Sequence, residues 1–233
     1  MSETASESNP AAAERTVPVW DLGVRCFHWA LVACVVTSFV TIKIGGNAMT
    51  YHVWSGYAIL TLLLFRILWG FAGGTHARFA SFVRGPGAVI AYLKGMFARH
   101  DEPAPPGHNP VGALSVLAML AVLLFQAASG LFTNDDIAFE GPLYKWVGKE
   151  LSDKLTHWHH FNEKVIMLLV LLHLAAIAFY FFRHKDNLVR PMVTGVKRVR
   201  GFDGESRYGN TLLAAILLAL CGTGVYFLVN AAK

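Results

Sequence analysis

The chain has 233 residues, of which 55% are hydrophobic and only 15% are charged. This apolar share and a mean hydropathy of +0.45 exceed what ordinary soluble domains contain. The formal net charge of +5 also occurs in nucleic-acid-binding proteins. In a membrane protein, however, basic residues concentrate in cytoplasmic loops, so we expect no nucleic-acid partner.

Five stretches are apolar and about as long as the roughly 20 residues that a helix needs to cross a bilayer. Because a helix satisfies its own backbone hydrogen bonds in lipid, they predict an all-α integral membrane protein with the lipid bilayer around it. Residues 1–16 lack the apolar core of a signal peptide, and we interpret them as a disordered cytoplasmic tail. The predicted spans are residues 24–44, 51–71, 111–132, 159–182 and 211–229.

The charges of the loops predict the orientation. The loops after the second and fourth spans are rich in Arg and Lys, whereas the loop between the third and fourth spans mixes acids and bases. The positive-inside rule therefore predicts a cytoplasmic N-terminus and a C-terminus on the far side. Within the first basic loop, residues 81–97 are partly amphipathic and predict either a surface helix or an ordinary connecting loop.

Four histidines lie in or at the ends of the spans, where an ionisable side chain is costly and indicates a functional site. His28 is near the cytoplasmic start of the first span, and His52 is at the outer start of the second. His159 and His173 are 14 residues apart in the fourth span. That spacing is close to four turns, so both lie on one helix face, about 21 Å apart along the axis.

The orientation pairs these histidines by depth, His28 with His173 near the cytoplasm and His52 with His159 near the outer surface. Two imidazoles at one depth can complete the coordination of a haem iron, and a six-coordinate haem favours electron transfer. We therefore predict that the four histidines are the axial ligands of two stacked haems. The chain has no C-x-x-C-H motif, so the haems would be held non-covalently.

Three further residues are predicted to bind the cofactor. Arg66 lies 14 residues after His52 on the same helix face, and Arg25 lies one turn before His28. Either guanidinium suits a haem propionate, although Arg25 could equally snorkel to the interface. Gly56, one turn after His52, could admit a flat macrocycle close to the backbone or serve helix packing.

The remaining histidines are interpreted as non-ligands. His157 and His160 point away from the helix face of His173, which leaves His159 as the ligand. The other four lie in polar, loop-like segments and are expected at the surface, with one of them a candidate proton relay. These four are His76, His100, His184 and the candidate relay His108. Glu163 is the only acid within the predicted spans, which argues against a metal transporter, since that would place carboxylates beside the histidines.

The segment VPVWDL at residues 17–22, followed by Arg25 and by the triplet FHW at residues 27–29, resembles the start of the bacterial cytochrome b561 family. That family is related to the b-type cytochrome subunits of nickel–iron hydrogenases. The resemblance extends over about residues 17–200. Further matching positions are His52, Gly56, Tyr57, Arg66, Trp69, Gly70, residues 77–79 and 82–86, residues 107–110, His159, residues 173–176, residues 187–190 and residues 192–195.

The resemblance implies a four-helix transmembrane haem-binding core at residues 17–200 that carries two b haems in the bacterial inner membrane. It assigns the ligand roles to the same four histidines. Residues 201–233 add a linker and a fifth C-terminal transmembrane helix, which could contact a partner or form a homodimer. One position departs from the family pattern: His160 follows His159 where family members often have Glu.

We therefore expect a di-haem b-type cytochrome that passes electrons between the quinone pool and a redox partner, as one component of an oxidoreductase system. A periplasmic c-type cytochrome or a hydrogenase-like subunit would be such a partner. We expect quinone beside the cytoplasmic haem, where Arg25, Arg66 and His108 could handle charge and protons. Two other functions stay open: a stand-alone quinone reductase that oxidises a small reductant, and a non-redox haem- or metal-binding membrane protein.

Overall fold

The computed structural model describes residues 14–95, 106–137 and 139–231. Within these residues, five helices are long and apolar enough to cross a membrane, which confirms the predicted all-α integral membrane fold. Three shorter α-helices and one 3-10 turn (Gly46–Ala48) lie in the described connections. In chain order the helices are α1 (Leu22–Ile44), α2 (Met49–Ala72), α3 (Phe79–Phe82), α4 (Pro86–Gly95), α5 (Pro110–Gly130), α6 (Tyr144–Arg183), α7 (Val189–Thr194) and α8 (Thr211–Asn230).

Polar side chains mark where the membrane helices begin. Asp21 precedes α1 and accepts a hydrogen bond from the backbone N–H of Val24 at 2.9 Å. Asn109 does the same for α5, at 2.7 Å from the N–H of Gly112, and Asn210 caps α8. Such caps satisfy N–H groups that have no partner inside the helix, and they fix the depth at which each span starts.

The long helices pack as α1 on α2, α2 on α5 and α8, and α5 on α6. We call the end that holds the connecting residues 73–95, 106–109 and 184–210 the basic end, and the other the opposite end. Buried apolar clusters fill three levels. The basic end holds Val24, Phe27, Phe65, Trp69 and others; the middle holds Ile59, Leu63, Leu123 and Ile166; the opposite end holds Leu60, Leu131, Leu143, Val225 and Val229.

The fifth membrane helix is an integral part of this packing. Ala214 and Cys221 of α8 are buried in the basic-end cluster, and Val225 and Val229 are buried in the opposite-end cluster beside Leu60 of α2. Helix α8 therefore covers α2 along most of its length. The predicted division of the chain after residue 200 separates α8 from the core in sequence, whereas in space the two share one apolar interior.

Two features differ from the expected all-helical layout with a disordered tail. Strand β1 (Glu14–Pro18) pairs antiparallel with β2 (Val196–Arg200), so the expectation of disorder is wrong for residues 14–16. The rest of that tail lies outside the described residues. The pair places Glu14 directly opposite Arg200, and opposite charges at such cross-strand positions favour this register.

Helix α6 is longer than the predicted fourth span, which begins at residue 159. It starts at Tyr144 and bends at Gly148, where φ is +70°. Its first turns are polar and carry Lys–acid pairs four residues apart, such as Lys154 with Glu150 at 2.8 Å; these support a helix in water. Hydropathy detects only the apolar part of such a helix.

Residues 81–97, for which the sequence predicts either a surface helix or a loop, contain helix α4 up to Gly95. Residues 96 and 97 lie outside the described part of the chain.

Candidate functional site

At the opposite end, the structure brings two histidines of different helices close together. His52 lies in the first turn of α2, and His159 lies in α6. Their ring centres are 6.4 Å apart and the ring planes are inclined by 79°. This is the outer pair expected from the sequence.

A second pair lies toward the basic end. His28 of α1 and His173 of α6 have ring centres 6.5 Å apart, with ring planes inclined by 51°. The structure thus brings together the same two pairs that the sequence matches by depth. Within α6, the 14 residues between His159 and His173 separate the two levels by about 21 Å.

The spacing of the rings fits a shared metal ion between the members of each pair. Two imidazoles on opposite sides of one ion, each with a metal–nitrogen bond of about 2 Å, hold their ring centres roughly 6 to 6.5 Å apart. The observed 6.4 and 6.5 Å match this value. No hydrogen bond joins the two rings of either pair, and the spacing of the ring centres is compatible with a metal ion between them.

Backbone carbonyls orient both rings of the opposite-end pair. His52 Nδ1 lies 3.0 Å from the carbonyl oxygen of Ser38, and His159 Nδ1 lies 3.0 Å from that of Gln126. Each Nδ1–H donates to its carbonyl, so Nε2 carries the free electron pair, and this fixes the tautomer of a metal ligand. Sequence reasoning missed Ser38 and Gln126, because their contribution is a carbonyl group that every residue type has.

A cavity of about 790 Å³ opens between α1, α2, α5 and α6 around this pair. Its volume lies within the range of about 300 to 1,000 Å³ that cofactor pockets occupy. Gly56 lines it, and a Cβ added there would meet no atom within 4 Å. The space beside Gly56 is therefore cavity, as the prediction of close approach by a flat ligand requires.

Gly130 of α5 is a second small residue in the cavity wall, which the sequence analysis did not single out. A Cβ added at Gly130 would lie 3.0 Å from Cε1 of His159. The glycine therefore makes room for the imidazole itself. The signal for this role is weak in the sequence, because helical glycines also serve helix packing.

The basic-end pair is held differently. Nδ1 of His28 is buried and has no hydrogen-bond partner among the described residues. The ring packs edge-on against Trp29, with ring centres 5.0 Å apart. Packing and not a backbone carbonyl thus positions this ring.

The two arginines predicted beside the cofactor lie at the basic end. Arg25 donates a hydrogen bond from Nη2 to the carbonyl of Val193 in α7, which ties α1 to that short helix. Arg66 is only 3% exposed and donates from Nη2 to the carbonyl of Ala77 at 3.1 Å. A contact of either with a propionate stays a prediction.

His76 and His108, which were expected at the surface, are only partly exposed, and each has one buried ring nitrogen. His108 is enclosed between Trp20 and Phe82, with ring centres 4.7 and 4.8 Å away. Burial, and then the charges of Arg66 and His76, lower the pKa of His108 to about 3; burial also lowers the pKa of His76. Both imidazoles are therefore neutral at physiological pH.

The other histidines fall as expected, apart from one that lies outside the described residues. His157, His160 and His184 are exposed, and His100 is the residue outside that part of the chain.

His160 borders the cavity rim together with Glu163, and Glu163 forms an ion pair with Lys43 at 3.0 Å. Glu163, the acid within the predicted fourth span, thus links α6 to α1 through this ion pair. Among the described residues, no group of three or more His, Cys, Asp or Glu side chains forms a site for a metal ion held by protein ligands alone.

Five membrane-length helices that bring four histidines into two neighbouring pairs define an integral membrane protein with two candidate ligand sites. Comparison with known families agrees with this class, since the model described as prokaryotic cytochrome b561 matches residues 19–195. The chain therefore belongs to the prokaryotic cytochrome b561 family. It is a membrane-bound b-type cytochrome, a class that binds haem b and serves in electron transfer.

Curated relatives extend the similarity over most of the chain. A "Probable Ni/Fe-hydrogenase B-type cytochrome subunit" of Azotobacter chroococcum is 25% identical over 83% of this chain and 93% of its own length. The protein of the same description from Rhizobium leguminosarum is 23% identical over 79% and 90%. A "Probable Ni/Fe-hydrogenase 1 B-type cytochrome subunit" of Escherichia coli is 23% identical over 77% and 89%. No solved structure matches the chain.

Proposed function

We propose that the chain binds two non-covalent b haems and carries electrons across the bacterial inner membrane between the quinone pool and a redox partner. The observation that supports this most strongly is the equal spacing of the two histidine pairs, 6.4 and 6.5 Å between ring centres. One helix, α6, contributes a ligand to each pair, so a single rigid element sets the distance between the two sites.

The protein's own groups would do three things for the cofactors. The imidazole nitrogens complete the iron coordination, and the carbonyls of Ser38 and Gln126 keep two of them in the ligating tautomer. The apolar layer of Ile59, Leu63, Leu123 and Ile166 between the sites excludes water. A bis-imidazole haem, when bound, supplies one-electron transfer with no open coordination position.

We also propose the partners and the orientation. The relatives are named as cytochrome subunits of Ni/Fe-hydrogenase, which favours a hydrogenase-like subunit, with a periplasmic c-type cytochrome as the other choice. The loop between α5 and α6 lies beside the cavity at the opposite end, where such a partner would approach. The positive-inside rule places that end in the periplasm, the N-terminus in the cytoplasm and the C-terminus in the periplasm.

Haem quantification in the purified, detergent-solubilised protein tests the proposal. We expect a low-spin b-type absorbance spectrum and two haems per chain. Acid–acetone should extract both, because no C-x-x-C-H motif is present to hold them covalently. One haem per chain at full occupancy, or haem that stays with the polypeptide, would contradict it.

A further inference from the structure

A buried polar cluster at the basic end lies outside the two histidine pairs. It consists of Arg66 in α2, His76 in the loop after α2, and His108 just before α5. Each contributes a buried nitrogen with no hydrogen-bond partner among the described residues: Arg66 Nη1, His76 Nε2 and His108 Nδ1. Buried polar atoms without a partner are uncommon and call for a bound group or water.

A chain of contacts joins the three side chains into one site. The guanidinium of Arg66 lies 5.2 Å from the ring centre of Phe79, and Phe79 packs on Phe82 at 5.8 Å. Phe82 packs on His108 at 4.8 Å. His76 lies next to the residue before His108, Gly107: a Cβ built on Gly107 would be 3.0 Å from Nδ1 of His76. The cluster thus has aromatic walls and polar nitrogens that lack partners.

The cluster lacks a contacting negative charge. Asp21 is the acid whose charge acts on Arg66, but no described carboxylate forms an ion pair with that guanidinium. Both oxygens of Asp21 are used by other donors, the N–H of Val24 and the indole of Trp69 on Oδ1 and the N–H of Gly74 on Oδ2. A buried cation without a paired anion is costly.

The chemistry of the three nitrogens identifies the missing group. Arg66 Nη1 can only donate, and each neutral imidazole can place its proton on the unpartnered nitrogen and donate as well. Three unpartnered donors, one of which belongs to a permanently positive guanidinium, suit an anionic oxygen acid, a carboxylate or a phosphate.

The cluster lies at the depth of the basic-end histidine pair. Helix α1 starts and helix α2 ends at the basic end; His28 lies six residues after Leu22, and Arg66 lies six residues before Ala72, which is about 9 Å from the helix end in each case. His28 and Arg66 therefore share one level of the bundle. A carboxylate-bearing cofactor held by His28 at that level is close to the cluster.

We propose that Arg66, His76 and His108 form an anion site that receives a carboxylate of the haem held between His28 and His173. The proposal rests on the function proposed above and adds His76 and His108 to the cofactor-binding residues. A free inorganic anion such as phosphate has the same chemistry, so the test separates the two sources.

The test compares haem b with its dimethyl ester, which lacks the negative charges and leaves the protein unchanged. Haem-free full-length protein is titrated with each compound, and binding is followed by the low-spin absorbance band. We expect the unmutated protein to bind the ester as tightly as haem at the opposite-end pair. At the basic-end pair it should bind the ester about tenfold or more weakly than haem, which is the scale of a lost charge-assisted hydrogen bond. Protein carrying His159→Leu, which retains the basic-end pair, should show the weakening.

Matched variants make the assignment specific. Arg66→Gln should remove most of the difference between haem and ester, whereas Arg84→Gln, an arginine exposed in the same loop region, should leave it unchanged. Equal affinity for haem and ester at the basic-end pair would overturn the inference. A spectrum that responds to added phosphate in unmutated protein but not in Arg66→Gln would assign the site to a free anion and overturn it as well. A protein with no low-spin haem would instead refute the proposed function and the inference with it.

Discussion

Single hydrogen bonds decide what the opposite-end histidines can do. A carbonyl at 3.0 Å holds Nδ1 of His52 and of His159, so the other nitrogen of each ring is the one left to bind a metal. Ser129 adds a hydroxyl 3.1 Å from the same Nδ1 of His159. Such outer contacts keep a ligand in position before the metal arrives, which reduces the ordering that cofactor binding requires.

Gly56 gives a residue-scale prediction. Gly56→Leu should place a side chain in the cavity at the opposite end, since a Cβ at this position has no atom within 4 Å. Overpacking of a filled site costs about 1–3 kcal/mol, so the protein should lose most of the haem held by His52 and His159 and keep the other. Haem content per chain and redox titration would measure this.

Gly224→Leu is the matched control for that experiment. Gly224 is also a helical glycine with open space where a Cβ would lie, but it is exposed on α8 and away from the cavity. It should retain both haems. Equal loss in the two variants would show that the effect of Gly56→Leu is general unfolding and not occupation of the haem cavity.

At the scale of elements, α6 is the component on which the arrangement depends. It carries one histidine of each pair, and its polar first turns bind the loop after α5. Asn134 of that loop donates to Ser152 Oγ at 2.6 Å and to Asp153 at 2.9 Å, and Ser152 is fully buried. These contacts fix the start of α6 and therefore the height of both histidines.

The bend at Gly148 gives a prediction for this element. Its φ of +70° and ψ of 170° lie in a region that is essentially restricted to glycine and costs other residues about 1–3 kcal/mol. Gly148→Ala should therefore lower the thermal unfolding midpoint of the detergent-solubilised protein. Gly224→Ala, in a regular helix, should leave the midpoint unchanged or raise it, because alanine favours helix over glycine. An unchanged midpoint in Gly148→Ala would mean that the bend carries no strain.

Five crossings predict opposite sides for the two ends of the chain. We expect a cysteine introduced near residue 14 to react with a membrane-impermeant reagent only from the cytoplasm, and one introduced near residue 231 only from the periplasm. The native Cys26, Cys34 and Cys221 are replaced first. Labelling of both ends from one side would mean that one of the five helices does not cross.

At the scale of the whole molecule, the spans and the depth of each histidine could be predicted from the sequence, because helical periodicity and the rise per residue are local properties. It did not reveal the burial of His108, since Trp20 and Phe82 are far from it in sequence and meet it only after α1, α3 and α5 have packed. The β1–β2 pair was missed for the same reason. The early start of α6 was missed because its polar turns are stabilised by contacts with another loop and carry no hydropathy signal.

The overall arrangement is that of two polar sites separated by an apolar layer. Ile166 of that layer lies midway in sequence between His159 and His173. Burial of aliphatic side chains there keeps the interior dry, and a low-dielectric spacer strengthens the electrostatic influence of each site's own surroundings. We therefore expect the two haems to have distinct midpoint potentials, which makes them separable in a titration.

The most direct test of the account is a redox titration that resolves both haems in His159→Leu and in His160→Leu. An iron that loses one imidazole is weakly held, so His159→Leu should lose the component at the opposite end and keep the one held by His28 and His173. His160→Leu should keep both, because the His160 side chain is exposed and its neighbour His159 is the one that faces His52. Loss of a haem from His160→Leu, with both haems retained in His159→Leu, would contradict the assignment of the ligands.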